Sequence, residues 1–191
     1  MVCLLVFVGP ISLLAAEYKS AAEAFEKGNT FLDKGDLNTA ISVFTKAITL
    51  NPKDAQAYRN RGVAYEIKGD YDKAIADFTE AIRLDPKDAK AFGGRGSVHV
   101  IMGDNEKAIA DYTKAIRLDP KNAGWFGRRG IIYGIMGSYD KEIADYTEAV
   151  RLDPKYAEAY YNRGAAYKEG GKTAKAEADF AQAKKLGYKS L

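Results

Sequence analysis

Apolar positions recur along this chain at two alternating helical spacings. In AYRNRGVAYEIKG, Tyr58, Gly62 and Tyr65 are separated by four and three residues, and in DKAIADFTEAIRL the set Ala74, Phe78, Ala81 and Leu84 keeps the same rhythm. Steps of three and four hold side chains on one face of an α-helix. Between the two runs lies Gly69-Asp70, a helix stop followed by a turn residue. After the second run comes Asp85-Pro86, where proline disfavours helical geometry in the residue before it and is itself tolerated at a helix start. Residues 55–88 therefore predict a helical hairpin.

The hairpin is written five times. Pro52, Pro86, Pro120 and Pro154 stand 34 residues apart in the phrases LNPKDA, LDPKDA, LDPKNA and LDPKYA, and lines of that length run over 21–54, 55–88, 89–122, 123–156 and 157–190. Set under one another, the lines form columns. The eighth slot reads Gly28, Gly62, Gly96, Gly130 and Gly164; the twentieth reads Ala40, Ala74, Ala108, Glu142 and Ala176; the twenty-fourth reads Phe44, Phe78, Tyr112, Tyr146 and Phe180. The fourth holds Ala24, Tyr58, Phe92, Phe126 and Tyr160. Small residues let two helices approach closely, and the aromatics fill the gap where they splay. A fixed short period implies a stack in which each unit contacts mainly its neighbours, an extended surface suited to binding rather than to chemistry. The expected fold is an all-α solenoid.

This unit resembles the tetratricopeptide repeat, in which an aromatic is followed by Gly-x-x-Tyr, Ala-x-x-x-Phe and a proline. The second line supplies the pattern as Tyr58, Gly62, Tyr65, Ala74, Phe78, Ala81 and Pro86, and the resemblance runs from Ala21 to about the C-terminus. It implies a right-handed superhelix of antiparallel helix pairs, with the first helix of each pair lining a concave groove that binds peptides or partner proteins. On that geometry the lining includes Asn29 in the first line and Arg59, Asn60 and Val63 in the second. The third contributes Lys90, Gly93, Gly94 and Ser97, the fourth Gly127, Arg128 and Ile131, and the fifth Tyr161 and Asn162. Some family members clamp a partner's C-terminal carboxylate. Asn29, Asn60 and Lys90 match that arrangement, but Phe25 and Gly94 occupy the positions of two further cations, which weakens a charge-based clamp. Other departures are Ala24 and Phe31 in the first line, His99 in place of a tyrosine, and Glu142 in place of alanine.

Further columns carry more specific expectations. Arg61, Arg95, Arg129 and Arg163 occupy the seventh slot of lines two to five, and Asp77, Asp111, Asp145 and Asp179 the twenty-third, whereas the first line has Lys27 and Val43. Because they appear and vanish together, arginine and aspartate are expected to pair within a hairpin or across adjacent ones. Glu142 should either swing out to solvent, with local splaying of its helix pair, or find a partner. Gly93, Gly94, Gly124, Gly127 and Gly134 weaken two helices. They mark either a shallow floor against which a partner's backbone lies or a locally soft stretch. Trp125 reads as a packing residue or an interface anchor. Ile41, Ile75, Ile109 and Ile143, and likewise Ile48, Ile82, Ile116 and Val150, give way in the fifth line to Glu177 and Lys184, as in a solenoid's polar capping repeat closed by Leu186 and the GYKSL tail.

Composition adds exclusions. With 47% hydrophobic and 29% charged residues there is enough apolar surface to cover the contacts between repeats. A net charge of +3, with lysines and arginines interspersed among acids, lacks the clustered basic stripe that nucleic-acid binding requires. No Gly-x-Ser-x-Gly turn, phosphate loop or metal-spaced His/Cys cluster is present, so neither an enzyme nor a cofactor site is expected, and His99 reads as an inter-helix spacer. The N-terminal residues 1–16 carry no charge and are rich in Leu, Val, Ile and Phe. They are interrupted by Pro10 and shorter than the ~20 residues of a spanning helix. They read as a secretory signal cut near Ala16, a retained membrane anchor, or a buried or irregular tail. Export to the periplasm or the extracellular space, or membrane anchoring, is expected, with a cytoplasmic location as the alternative. The lone Cys3 lies at the start of that run, which speaks against lipidation and rules out a disulfide within one chain. The expected function is a protein-interaction scaffold, monomeric or weakly self-associating. The alternative is a structural, self-assembling envelope module that docks through its first repeat.

Overall fold

Each LDPKDA phrase does two jobs at the end of a hairpin. In the computed structural model, which describes residues 18–189, the Asp85 carboxylate accepts from the Lys87 backbone N–H (3.0 Å). Three residues on, Asp88 accepts from the N–H groups of Lys90 (2.9 Å) and Ala91 (3.1 Å), so that it satisfies donors that a new helix leaves without partners. Asp54 and Asn122 cap their helices in the same way. The fifth repeat has Tyr156 at this position, without a side-chain cap.

Among the described residues this punctuation delimits ten helices and no strand. They are α1 (Ala21–Asp33), α2 (Leu37–Leu50), α3 (Ala55–Lys68), α4 (Tyr71–Leu84), α5 (Ala89–Ile101), α6 (Asn105–Leu118), α7 (Ala123–Ile135), α8 (Tyr139–Leu152), α9 (Ala157–Glu169) and α10 (Thr173–Lys185). Within a pair the turn needs a left-handed residue. Gly69, at φ 85°, ends α3 and lets the Asp70 N–H bond back to the Tyr65 carbonyl at 2.9 Å, a reversal that a side chain would strain. No described helix is long and apolar enough to cross a membrane, and the apolar run 1–16 lies outside the described residues.

The chain forms two compact units that divide within α5, one ending at Val98 and the other beginning at His99. In the first, Ala24, Val43, Ala47, Ile48 and Ala57 form one buried cluster flanked by Phe25, Phe31 and Tyr58, and Ala74, Phe78 and Val98 form a second. Val43 shows why the first repeat lacks the aspartate of the others: its slot is apolar core. In the second unit the clusters are Ala108, Tyr112 and Ile132 with Trp125 packed beside them, and Tyr146, Ala149, Val150 and Ala159 with Phe126, Tyr156 and Tyr160. Trp125 is thus a packing residue, 6.3 Å from the Tyr112 ring. His99 is buried as a spacer, with Nδ1 3.7 Å from Asp104 and Nε2 3.9 Å from Asp111. In the fifth repeat Glu177 and Lys184 are exposed, and Tyr188 of the tail stacks on Tyr161 at 4.4 Å.

Close approach in four of the five pairs is set by glycine against an aromatic ring. A Cβ added to Gly28 would lie 2.5 Å from the Phe44 ring; at Gly62 the distance to Phe78 would be 3.2 Å, at Gly130 to Tyr146 3.2 Å, and at Gly164 to Phe180 2.8 Å.

The arginine column ties three helices at once. Arg61 on α3 donates from Nε and Nη2 to the Asp77 carboxylate of α4 (2.7 and 2.8 Å) and from Nη1 to the Thr45 hydroxyl of α2 (2.9 Å). Arg129 repeats this with Asp145 (both 2.8 Å) and Thr113 (2.8 Å), and Arg163 with Asp179 (2.7 and 2.8 Å) and Thr147 (3.3 Å). Arg95 likewise donates to Thr79 at 3.1 Å. Pairing within a hairpin and pairing across adjacent hairpins are therefore both realised, by different nitrogens of one guanidinium. Burial opposes the charge on Arg61, but the hydrogen bonds and negative charge of Asp77 outweigh it and raise the arginine's pKa. Tyr58 and Tyr65 flank the same group, their ring centres 5.6 and 5.9 Å away.

Because Asp77 is only 5% exposed, removing its partner strands a buried charge. Arg61→Ala and Asp77→Ala are each expected to lower unfolding free energy by about 3 kcal/mol. Their double-mutant cycle in urea should show a coupling of about 2 kcal/mol, and additive losses would exclude the pair as a link.

Candidate functional site

The first helices of successive repeats meet through residues 31 apart, which carry the ninth slot of one line to the sixth of the next. In the first unit Asn60 Nδ2 donates to Asn29 Oδ1 at 2.7 Å. The same spacing lets the Ser97 hydroxyl donate to Glu66 Oε1 at 2.6 Å. Arg59 donates from Nη1 to Asp88 Oδ2 at 2.6 Å and from Nε to Asn60 Oδ1 at 3.3 Å, so it braces the carboxylate that caps α5. Most polar residues that the groove geometry places on this face are bonded to one another. Asn29 and Asn60, two of the three matches to a carboxylate clamp, form a mutual bond. Lys90 is exposed and Val63 half-buried.

The glycine floor has a structural cause that the sequence reading did not reach. Gly94 lies where a Cβ would stand 2.6 Å from the Phe78 ring, and Gly93 is buried. In the second unit each of two glycines accommodates a side chain that breaks a column. A Cβ on Gly127 would meet the Tyr156 hydroxyl at 2.8 Å, and Tyr156 is the residue standing where the other phrases have a capping Asp or Asn. A Cβ on Gly134 would meet the Glu142 carboxylate at 2.8 to 3.0 Å. Gly94, Gly127 and Gly134 each face a side chain of their own chain at close range.

Glu142 neither swings out fully to solvent nor finds a partner among the described residues. It is 9% exposed, folded over Gly134 without splaying α7 from α8, and no hydrogen bond or ion pair to it exists among the described residues. Burial holds its carboxyl above the ordinary carboxylate value. It lies in a depression of about 360 Å³ lined by Ile131, Gly134, Ile135, Tyr146, Asn162 and Ala165. Burial also pushes the Tyr146 phenol up, and the Asn162 side chain is that phenol's hydrogen-bonding neighbour. Ile131 and Ile135 are 39% and 63% exposed and form an apolar rim on α7. Of the other expected lining residues here, Arg128 is exposed, and Tyr161 is half-buried between Tyr188 and Phe180 (5.4 Å). The depression thus gathers Ile131 and Asn162 with two residues of α8, Glu142 and Tyr146, that were not assigned to the groove. Among the described residues no His, Cys, Asp and Glu cluster could hold a metal ion.

Family models described as tetratricopeptide repeat match residues 25–89 and 68–123, and further repeat models match 130–171 and 157–186. The chain belongs to the tetratricopeptide-repeat family. Its fold is the family's all-α, right-handed superhelical solenoid of antiparallel helix pairs. A crystal structure of MamA is similar, with 27% identity and a TM-score of 0.78 over 83% of this chain and 93% of that one. YrrB, described as a tetratricopeptide-repeat protein with an unusual peptide-binding site, is 23% identical with a TM-score of 0.73, covering 94% of this chain and 93% of its own. PilF of Pseudomonas aeruginosa is 16% identical with a TM-score of 0.82, over 89% and 78% of the two chains. The latter two likenesses concern the fold alone.

An acid whose pKa is raised on folding lowers stability as pH climbs from its unfolded value through its folded one, and the cost is complete above both. Glu142→Gln, which keeps shape and removes the charge, is therefore expected to be more stable than the parent at neutral pH. That advantage should shrink as pH falls from the raised value of Glu142 toward the ordinary carboxylate value, and be gone below it. Urea midpoints across this range test it; a difference independent of pH would place the effect elsewhere.

Proposed function

We propose that this chain is a binding scaffold which takes up a peptide or an extended segment of a partner protein on the first-helix face of its repeats. Family membership supports the general class, since tetratricopeptide repeats serve as protein-interaction modules and are typically not enzymes. The observation that carries the reading is the depression on the second unit, where exposed Ile131 and Ile135 border polar groups held in fixed positions. An exposed apolar rim around a few convergent polar groups suits a side-chain-sized guest. The first unit presents a different surface. Its bonded polar network, Arg59–Asp88, Asn60–Asn29 and Ser97–Glu66, holds the first helices in register and leaves Lys90 for contact.

The apolar run 1–16 directs the repeats out of the cytoplasm, either as a signal removed near Ala16 or as an anchor, so the partner is sought in the cell envelope.

Affinity capture from an envelope fraction, with the full chain as bait, tests the binding reading. Ile131→Asp places a charge on the exposed rim and should remove at least one captured protein while leaving the helical circular dichroism and its melting unchanged. Identical captured sets from parent and variant would refute this face as the binding surface. For export, mature protein beginning near Glu17 is the outcome expected from N-terminal sequencing of the envelope fraction if the signal is cut. An intact Met1 in the membrane pellet identifies the anchor, and an intact chain in the cytosol overturns export.

A further inference from the structure

The Glu142 carboxylate is a charged group of the second unit whose chemistry is unanswered. Glu142 is 9% exposed as a residue, its side chain has no hydrogen bond or ion pair among the described residues, and it lines a depression large enough for a side chain. Gly134 is the one glycine among Leu32, Glu66, Val100, Gly134 and Lys168 in its column, and the Glu142 carboxylate lies in the space that a Cβ there would take. Two cations near it in sequence are engaged elsewhere. Arg129 is held by Asp145 and Thr113, and Lys141 lies over the Tyr133 ring at 5.4 Å. A desolvated carboxylate with no partner is unfavourable unless it takes up a proton or an opposite charge arrives, and an acidic or neutral guest cannot supply that charge.

We propose that the depression between α7 and α9 is a subsite for one basic side chain, lysine or arginine, of the bound segment. Its aliphatic stem lies on Ile131 and Ile135, and its charged end meets Glu142. The proposal rests on the peptide-binding reading above and names the residue type that reading leaves open. The depression suits an amphipathic cation because both of its parts are present: apolar methyls at the rim and an anion at the base. Asn162, beside the Tyr146 hydroxyl, offers a neutral polar neighbour to the same charged end. Electrostatic complementarity of this kind sets specificity more than overall affinity, so the subsite would select among segments by the presence of one basic residue.

Two measurements on the full chain decide it. In the first, n-butylguanidinium chloride and its neutral isostere n-butylurea are titrated while the isoleucine methyl and Glu142 carboxyl resonances are followed by NMR. Butylguanidinium is expected to move the Ile131 and Ile135 methyls and to lower the pH at which Glu142 titrates. Butylurea, and butylguanidinium against Glu142→Gln, should bind about tenfold more weakly. Equal responses to the two probes, or an unchanged response in the variant, overturn the subsite whether or not peptides bind. In the second, a random peptide library is selected on the parent and on Glu142→Gln. The parent should enrich peptides with Lys or Arg at one aligned position, and the variant should still enrich peptides but without that preference. Enrichment on the parent with no basic preference overturns the subsite and leaves the scaffold standing. No enrichment on either protein overturns the peptide-binding reading instead, and the small-molecule titration then decides the subsite alone.

Discussion

How near the two helices of a pair can come governs the rest of each repeat. With glycine at the eighth slot the opposing aromatic ring lies so close that a single added carbon at Gly28 or Gly164 would stand 2.5 or 2.8 Å from it. Native interiors tolerate no such overlap, so the glycine and the ring are one feature read from two columns. Once the helices are this close, the seventh-slot arginine sits within reach of the second helix of its own pair and of the pair before it. A guanidinium has enough donors in a fixed plane to bond a carboxylate with two nitrogens and a hydroxyl with a third, which an ammonium could not arrange in the same geometry. Tight packing thus makes the staple possible, and the staple fixes how one pair is followed by the next.

The same constraint explains the irregularities of the second unit. Where approach is close, a side chain can grow only if the residue facing it shrinks. Glu142 occupies an alanine slot and Gly134 lies beneath it; Tyr156 replaces a helix cap and Gly127 lies beneath it. Both are exchanges of volume between columns, and both leave a chemically distinctive group on or beside the first-helix face. In the first unit the positions equivalent to Gly127 and Tyr156 hold Arg59 and Asp88, which bond to one another, and those equivalent to Gly134 and Glu142 hold Glu66 and Ala74. The two faces differ because volume was moved in one and not in the other.

These relations were unequally visible in the sequence. Helix pairs, turns and the arginine–aspartate partnership all repeat at the period of the chain, so a column comparison reveals them. The threonine partner was overlooked although it is also a column. Thr45, Thr79, Thr113 and Thr147 occupy lines one to four with Ala181 in the fifth, whereas the arginines occupy lines two to five. That offset by one line is the signature of a bond to the preceding repeat, and it is invisible when only residues of the same line are compared. The burial of Glu142 was missed for a related reason. Its column alone shows a carboxylate among alanines and suggests escape to water; only the simultaneous glycine at position 134 shows that room was made inside. Arg59 was taken for a ligand-facing cation because nothing local signals its bond to Asp88, a residue 29 positions on.

A repeat protein that binds a partner must keep its framework uniform and yet distinguish one guest from another. Here the two demands fall on different slots. The eighth, seventh, twenty-third and twenty-fourth, which carry the glycine, the staple and the ring, vary little from line to line. Change is concentrated in the fifth, sixth, ninth and twelfth, where one line has Arg59, Asn60, Val63 and Glu66 and another has Gly127, Arg128, Ile131 and Gly134. Changing a framework slot would disturb two pairs of helices, because each arginine holds both. A change at a face slot is local unless it alters volume, and then it needs a partner change directly across. Glu142 with Gly134 is such a paired change: an alanine slot of the second helix holds a larger residue, a face slot opposite holds glycine, and the staple Arg129–Asp145 is present at 2.8 Å. A desolvated carboxylate without a partner lowers stability at neutral pH, and a basic guest would offset that cost, which is the physical ground for the proposed role of Glu142 in specificity.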